Sequence, residues 1–454
     1  MTTSPGDNYC RVTGTMGKEN TEDLKARIAS LVEWTKQEVE GRNHLPHKNA
    51  PAADKQEECH STDADAKKKI THFPSMDDTG GIEEKFVRLC ATMAGGVYKT
   101  TQKKEFETML KTNSEICKAF PDLTLRFYQT GVTLGRLHNS NNRASLNAPT
   151  LAGVITGDTL LLVYRGTVTI ADMLADLKMD SVQDSSHVGL EVQGAYYNLV
   201  VDSYFGKKSS HKRDMINYLT GNYSKVPNKT TKDGIPIQRI LISGHSLGGG
   251  LAQVTHLCFK SRGSGVFHDL VDTIDARHVQ VKTVAFAAPM TTLVTDHASP
   301  DTLEFLKETI QPHMRNFVYK MDPVPRGYAH LSFILDLLEH IKAEFIAAKA
   351  KDDIEKLQVL TDELKQSLQN PWVLEYLAGK IDMVLEQAQQ YRHVGKVIYY
   401  DHESAVPAVY VDNGDAATTT FRSLGYQKSA VDDPLADALK YHSFLVTDNG
   451  LAYA

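Results

Sequence analysis

The sequence predicts an α/β fold, in which helices cover a central β-sheet. Two observations carry this prediction. Short apolar segments rich in β-branched residues alternate with segments whose apolar residues recur every three or four positions. One such strand pattern, at 237–242, runs into a glycine-rich turn and then directly into a helical pattern that starts at Leu247.

Residues 1–80 predict an N-terminal helix followed by a flexible linker. Over 21–40, apolar residues recur with helical spacing and would form a stripe along one face of a helix, with Trp34 beside it. Residues 41–80 combine prolines and histidines with a run of lysines, a composition typical of linkers. We therefore expect the compact domain to span 81–454.

Strands and helices alternate through the compact domain. Helices are predicted at 83–98, 103–120 and 194–219, and strands at 123–130, 150–155, 160–164, 279–287, 314–320, 396–400 and 406–411. The tripeptide Thr156-Gly157-Asp158 joins the second and third of these strands, which predicts a β-hairpin. A final helix is predicted at 434–446, with Asp433 as its N-cap and Pro434 in its first turn.

Residues 331–390 predict a helical insertion. Helical spacing recurs at 332–349, 352–366 and 371–390, and the last of these segments has a broad apolar face. Because this block interrupts the alternation of strands and helices, it indicates an addition to the α/β domain.

Charge and composition exclude several classes of protein. The chain has 454 residues, a net charge of −6 and a pI near 6.3, so there is no electrostatic case for binding nucleic acid. No apolar run approaches the ~18 residues of a transmembrane helix, and the N-terminus lacks the apolar segment of a secretory signal. The cysteines, at positions 10, 59, 90, 117 and 258, are an odd, scattered set typical of reduced thiols. We therefore expect a soluble cytoplasmic protein.

The glycine-rich turn carries the candidate nucleophile, Ser246. Gly244-His245-Ser246-Leu247-Gly248 is a G-x-S-x-G motif. A strand before this motif and a helix after it are the context of a nucleophile elbow, in which a tight turn presents a serine hydroxyl. Side chains at 244 or 248 would crowd that turn, because strand and helix approach closely there.

A serine hydroxyl becomes a useful nucleophile when a histidine removes its proton and a carboxylate orients that histidine. Asp322 is the preferred acid, because it follows the strand predicted at 314–320 and would lie at the carboxyl edge of the sheet. Asp296 and Asp301, in a predicted loop, are weaker candidates.

Three histidines are candidates for the base. His393 precedes a predicted strand, His442 lies in the predicted final helix, and His330 is a more distant third. Spacing alone does not choose between His393 and His442.

The tetrahedral intermediate of acyl transfer needs hydrogen-bond donors for its oxyanion. The backbone N–H of Leu247, directly after the serine, is one candidate donor. The other is Thr167, which follows the predicted strand end Tyr164-Arg165-Gly166 and offers both an N–H and a hydroxyl.

Together these segments resemble the class 3 lipase family, the fungal triacylglycerol lipase-like branch of the α/β-hydrolases. The resemblance is carried, in chain order, by Val163-Tyr164-Arg165-Gly166-Thr167, the stretch from Ile170 to Asp176-Leu177, Val192-Gln193-Gly194-Ala195-Tyr196, Ile242-Ser243-Gly244-His245-Ser246-Leu247-Gly248-Gly249, the stretch from Thr283 to Pro289, Asp322-Pro323-Val324-Pro325, and Tyr391-Arg392-His393-Val394-Gly395. It implies an α/β-hydrolase fold with a mixed, mostly parallel central sheet.

The resemblance also implies roles for the candidate residues. Ser246 matches the nucleophile, Asp322 the triad acid, and Thr167 the oxyanion residue that follows Arg-Gly. In this family the H-x-G motif, here His393-Val394-Gly395, is usually not the base. The catalytic histidine usually lies nearer the C-terminus, before aromatic or apolar residues. Tyr441-His442-Ser443-Phe444-Leu445 fits that place, so His442 is preferred over His393.

Membership of this family would make the protein a lipid carboxylic-ester hydrolase that works through an acyl-enzyme and needs no metal or organic cofactor. The substrate implied is a lipid ester. Peripheral contact with a membrane or a lipid droplet is compatible with that substrate, and the resemblance names no protein partner.

Several features depart from the family. Its fungal members are secreted and disulfide-bonded, and neither the first 80 residues nor the insertion at 331–390 has a counterpart in them. Residues 168–177 occupy the position of the family's lid helix and predict either a lid or an ordinary core helix. The insertion leaves open two alternatives: a weak or inactive lipase-like scaffold or signalling protein that binds partners through it, and an enlarged lid or membrane-docking element.

Overall fold

Eight strands form the central sheet of the computed structural model. They are β1 (Thr124–Gln129), β2 (Leu151–Thr156), β3 (Thr159–Tyr164), β6 (Arg239–His245), β7 (Gln280–Phe286), β9 (Met314–Tyr319), β11 (Lys396–Tyr400) and β12 (Ala408–Val411), adjacent in that order. Parallel pairing joins the five central strands, β3, β6, β7, β9 and β11. At the edges of the sheet, β1 pairs antiparallel with β2, β2 with β3, and β12 with β11. This mixed, mostly parallel sheet confirms the predicted α/β-hydrolase fold class.

Helices precede and connect these strands. The structure describes residues 25–31, 33–34, 37, 74–100, 102–129, 150–166, 181–183, 186–206, 210–222, 235–261, 265–319, 322, 324–326, 328–353, 356–357, 391–400 and 408–411. The α-helices are α1 (Glu84–Lys99), α2 (Lys103–Thr112), α3 (Ser114–Ala119), α4 (Gly194–Asn198), α5 (His211–Leu219), α6 (Leu247–Lys260), α7 (His268–Ala276), α8 (Pro300–Glu304) and α9 (Tyr328–Ala350). No helix in these ranges is both long enough and apolar enough to cross a membrane.

Apolar side chains on both faces of the sheet build two cores. Successive residues of a strand point to opposite faces, so a strand buried on both sides is apolar throughout. Leu160, Leu162 and Ile240 lie in the core that contains α6, whereas Leu161 and Val163 lie in the core that contains α1. The continuous apolar runs of β3 and β6 therefore reflect burial between two layers of helices.

A second, smaller sheet was not predicted. It consists of β4 (Ser181–Gln183), β5 (Leu190–Gln193), β8 (Thr292–Val294) and β10 (Tyr391–Arg392), which pair antiparallel in the order β10-β8-β5-β4. Side chains of a strand alternate with a period of two residues, so strands of two to four residues contain at most two periods. This is too few for a recognisable sequence pattern.

Two helices predicted as continuous are interrupted. The segment 103–120 is divided at Asn113, whose side chain accepts a backbone N–H in the first turn of α3 and so begins a new helix. The segment 194–219 consists of α4, a π-helix (Leu199–Tyr204) and α5. The chain leaves the π-helix before Gly206, where the carbonyls of the preceding turn leave little space for a side chain.

The N-terminal helical segment packs against α9, the described helix of the insertion. The described positions of the helix predicted at 21–40 are helical. Arg27 donates two hydrogen bonds of 2.8 Å to the Glu339 carboxylate. The rings of Trp34 and Phe345 meet edge to face, with their centroids 5.6 Å apart. This segment is therefore packed onto the insertion, whereas the division of domains at residue 80 stays a prediction.

We expect Trp34→Ala to lower the free energy of unfolding by about 1–2 kcal/mol, because it removes a partly buried ring and its contact with Phe345. Urea denaturation of Trp34→Ala, Phe345→Ala and the double variant measures the coupling between the rings, expected to be about 1 kcal/mol. Glu33→Ala, at an exposed position of the same segment, is the matched control. Zero coupling would contradict the packing of this segment on α9.

Candidate active site

Ser246 forms the whole connection between a strand and a helix. β6 ends at His245 and α6 begins at Leu247. Ser246 has φ 57° and ψ −128°, which is unfavourable for a residue with a side chain and costs about 1–3 kcal/mol. The turn is held by two backbone hydrogen bonds, from Ser246 N to Phe286 O at 2.9 Å and from Gly250 N to Ser246 O at 3.1 Å. This strained strand–turn–helix is the local geometry of a nucleophile elbow.

The glycines on either side of Ser246 are required by close backbone contacts. A Cβ atom at Gly244 would collide with the carbonyl of Gly248, and one at Gly248 would collide with the carbonyls of Tyr164 and Arg165. The second contact places the end of β3 directly against the first turn of α6. The predicted oxyanion loop and the predicted nucleophile are therefore neighbours.

The described part of the predicted oxyanion loop also contacts the end of β6, directly before Ser246. A Cβ atom at Gly166 would collide with the carbonyl of His245 and the hydroxyl of Tyr98. Thr167 itself lies outside the described residues. Leu247 is 1% exposed and is the first residue of α6, where backbone N–H groups have no carbonyl partner within the helix. The two segments predicted to supply oxyanion donors thus meet beside Ser246.

Tyr98 is a neighbour of the turn that the sequence did not reveal. Its hydroxyl lies 3.0 Å from Nδ1 of His245 and donates to the His245 carbonyl at 3.3 Å. Tyr98 belongs to α1, whose sequence shows an ordinary helical pattern without a motif. Its position beside the residue before Ser246 follows only from the packing of α1 on the sheet.

We expect Tyr98→Phe to lower kcat on a soluble ester by about tenfold, because loss of a partly buried hydrogen bond loosens the Ser246 turn. Tyr128→Phe is the control, since the Tyr128 hydroxyl bonds to Thr100 O at 2.6 Å and touches no residue of the turn. Equal kcat values for the wild type and Tyr98→Phe would show that the Tyr98 hydroxyl does not support the Ser246 turn.

Asp322 lies at the same edge of the sheet as Ser246. It follows β9, which is separated from β6 only by β7, so the carboxyl ends of these two strands are about two strand spacings, or about 10 Å, apart. Asp322 is fully buried, its N–H donates to Tyr319 O at 3.1 Å, and its Oδ1 accepts the Val324 N–H at 3.0 Å. Asp296 and Asp301 are exposed. Burial therefore distinguishes Asp322 from the two weaker candidates.

His393 contacts the loop that follows Asp322. It is 4% exposed, and its Nε2 lies 2.8 Å from the backbone carbonyl of Pro325. A ring nitrogen at that distance from a carbonyl donates its hydrogen to it, which fixes the orientation of the ring. His442 lies outside the described residues, and His330 is described only as part of α9.

A cysteine is a poor alternative nucleophile in this region. Burial raises the pKa of the Cys90 thiol, in α1, to about 12. Since the thiolate is the reactive form, this thiol is inert at neutral pH. Cys90 and Cys117 are free thiols. Within the described ranges, no group of histidine, cysteine and acidic side chains is arranged to hold a metal ion.

Comparison with known proteins points to one family. Residues 161–331 match the family model Lipase (class 3). No curated protein sequence gives a significant match. The match includes Ser246 and Asp322 and ends before His393.

Several solved structures are similar to this chain. A lipase from Rhizopus microsporus var. chinensis is 16% identical, covering 54% of this chain and 70% of its own, with a TM-score of 0.33. Lipase II from Rhizopus niveus is also 16% identical, covering 54% of this chain and 76% of its own, with a TM-score of 0.32. A mutant form of MDLA from Penicillium cyclopium is 11% identical, covering 82% of this chain and 99% of its own, with a TM-score of 0.41. Residues 161–331 of this chain are therefore similar to the lipase (class 3) family.

Proposed function

We propose that the protein hydrolyses carboxylic esters of lipids with a Ser246–His442–Asp322 triad. The observation that carries the proposal is the strained Ser246 turn, which lies at the same sheet edge as the buried Asp322 within a lipase-family segment. His442 is assigned from the sequence pattern and the family resemblance. The contact of His393 with the Pro325 carbonyl favours His393 as a support of the Asp322 loop.

The proposed reaction has two steps. His442 removes the proton from Ser246 as the hydroxyl oxygen attacks the ester carbonyl, and Asp322 stabilises the imidazolium that forms. The oxyanion accepts hydrogen bonds from Leu247 N–H and from Thr167. The imidazolium protonates the departing alcohol, which leaves an acyl group on Ser246. Water, deprotonated by His442, then releases the fatty acid and restores the serine.

The proposed substrates are lipid esters. Such substrates reside in membranes and lipid droplets, so we infer peripheral contact with one of these surfaces. We also infer a cytoplasmic location, supported by the free thiols of Cys90 and Cys117.

An active-site-directed fluorophosphonate separates an enzyme from a scaffold. We expect it to label the wild type and Ser243→Ala but not Ser246→Ala, because only an activated serine is phosphonylated. Ser243 is a matched control, since it is a buried serine on the same strand. Absence of labelling in the folded wild type across the pH range would favour the alternative function, a lipase-like protein that binds partners through its helical insertion.

One observation bears on that alternative. The described helix of the insertion, α9, already receives the N-terminal helical segment through the pair Arg27–Glu339 and the rings of Trp34 and Phe345. The insertion therefore offers a surface on which a helix can pack. A partner helix on the same surface would have to displace residues 25–34.

A further inference from the structure

A cavity of about 510 Å³ lies at the edge of the sheet opposite Ser246. Helix α6 starts at the Ser246 turn and ends at Lys260, about 20 Å away along its axis. β7 and β9 begin at this same distant edge, since they run parallel to β6. The polar residues that line the cavity are Lys260, Asp275, His278, Gln280, Lys282 and His313.

Positive charge dominates this lining. Lys260 and Lys282 contribute ammonium groups and His278 and His313 contribute imidazoles, against the single carboxylate of Asp275 among the described lining residues. The remainder of the wall consists of Gln280 and the apolar residues Ile274, Val279 and Val281. A concave site in which a few charged groups converge is typical of ligand binding.

Neutral carbonyl groups, rather than carboxylates, accept the hydrogen bonds of the buried cations here. Lys282 is 7% exposed and donates to Gly80 O at 2.8 Å. Behind it, Arg315 is 1% exposed and donates to Gln311 O at 2.8 Å and to the backbone carbonyl of Asp78. A carbonyl satisfies the donor without supplying a negative charge. Of the described carboxylates, Asp78 acts on Arg315 and Asp275 acts on Lys260.

The cations of the cavity therefore destabilise one another. Burial lowers the pKa of Lys282, and the charges of Arg239 and Arg315 lower it further. Burial also lowers the pKa of His313, as do the charges of Lys282, Lys260 and Arg315. An anion in the cavity would relieve this repulsion.

We propose that this cavity binds a phosphate group, carried by a small phosphate ester or by a lipid headgroup. A phosphate group carries roughly −1.5 to −2 charges at neutral pH and three acceptor oxygens, which fits two ammonium groups and an imidazole better than a monovalent carboxylate does. The cavity volume of about 510 Å³ also leaves room for the organic part of a small ester. The site lies apart from Ser246, so it does not depend on the proposed ester hydrolysis.

Isothermal titration calorimetry of the full chain with inorganic phosphate and with glycerol 3-phosphate tests this site. We expect saturable binding that Lys260→Gln weakens by roughly tenfold or more and Lys260→Arg largely retains, since one charge-assisted hydrogen bond is lost in the first variant only. Lys111→Gln is the matched control, because Lys111 also lies in the last turn of a helix, α2, but is exposed. If Lys260→Gln unfolds, as judged by thermal denaturation without phosphate, His313→Gln takes its place.

Co-sedimentation with phosphatidylcholine vesicles that contain phosphatidic acid separates the two sources of phosphate. Binding of the soluble phosphates that depends on Lys260 supports a small-molecule site, and binding of the vesicles alone with the same dependence supports a headgroup site. Binding of neither probe, or binding that Lys260→Gln and Lys111→Gln weaken equally, overturns the proposal.

Discussion

Replacing Ser246 with alanine is expected to lower kcat on a soluble p-nitrophenyl ester by about 10⁴- to 10⁶-fold, because loss of the nucleophile removes the acyl-enzyme route altogether. The fold should survive, because alanine adds no atoms to the turn. Circular dichroism and thermal denaturation of the variant check this.

Ser243→Ala should retain kcat within about twofold, since Ser243 lies within β6, three positions before Ser246. Ester hydrolysis by Ser246→Ala at the wild-type rate would refute the proposed mechanism.

Alanine variants of His442 and His393 should differ greatly in kcat. We expect His442→Ala to cost about as much as Ser246→Ala, roughly 10⁴- to 10⁶-fold in kcat, because the residues of a triad act as a unit. His393→Ala should cost only about 10- to 100-fold, through a less well placed Asp322 loop.

His393→Gln is the informative variant. A glutamine amide can donate to the Pro325 carbonyl, as the ring nitrogen of His393 does at 2.8 Å. It cannot accept a proton at neutral pH, so it cannot replace a base. We expect His393→Gln to recover most of the activity that His393→Ala loses. An inactive His393→Gln together with an active His442→Ala would make His393 the base.

The sequence predicted the parts of the fold that local patterns encode. β3 and β6 contain continuous apolar runs because both of their faces are covered. The G-x-S-x-G motif between β6 and α6 predicted the turn at Ser246. The short strands β4, β5, β8 and β10 were missed, because two to four residues are too few to show the alternation of apolar and polar side chains that marks a strand.

The candidate site was predictable only where it has a motif. Ser246 and Asp322 follow strands that the sequence reveals, so their common edge follows from parallel pairing. Tyr98 lies 147 positions before its partner His245 and has no local signature. The lining of the cationic cavity is likewise contributed by α6, α7, β7 and the segment before β9. Such groupings arise from tertiary packing, which spacing within one segment does not encode.

We expect Ser246 to carry the acyl group during turnover. Acid quenching during the steady state of p-nitrophenyl ester hydrolysis, followed by peptide mass spectrometry, locates that group. We predict the acyl mass on the peptide that contains Ser246 in the wild type and in Ser243→Ala. Continued turnover with the acyl group on another residue, or with no acyl-protein at any time, would exclude Ser246 as the nucleophile.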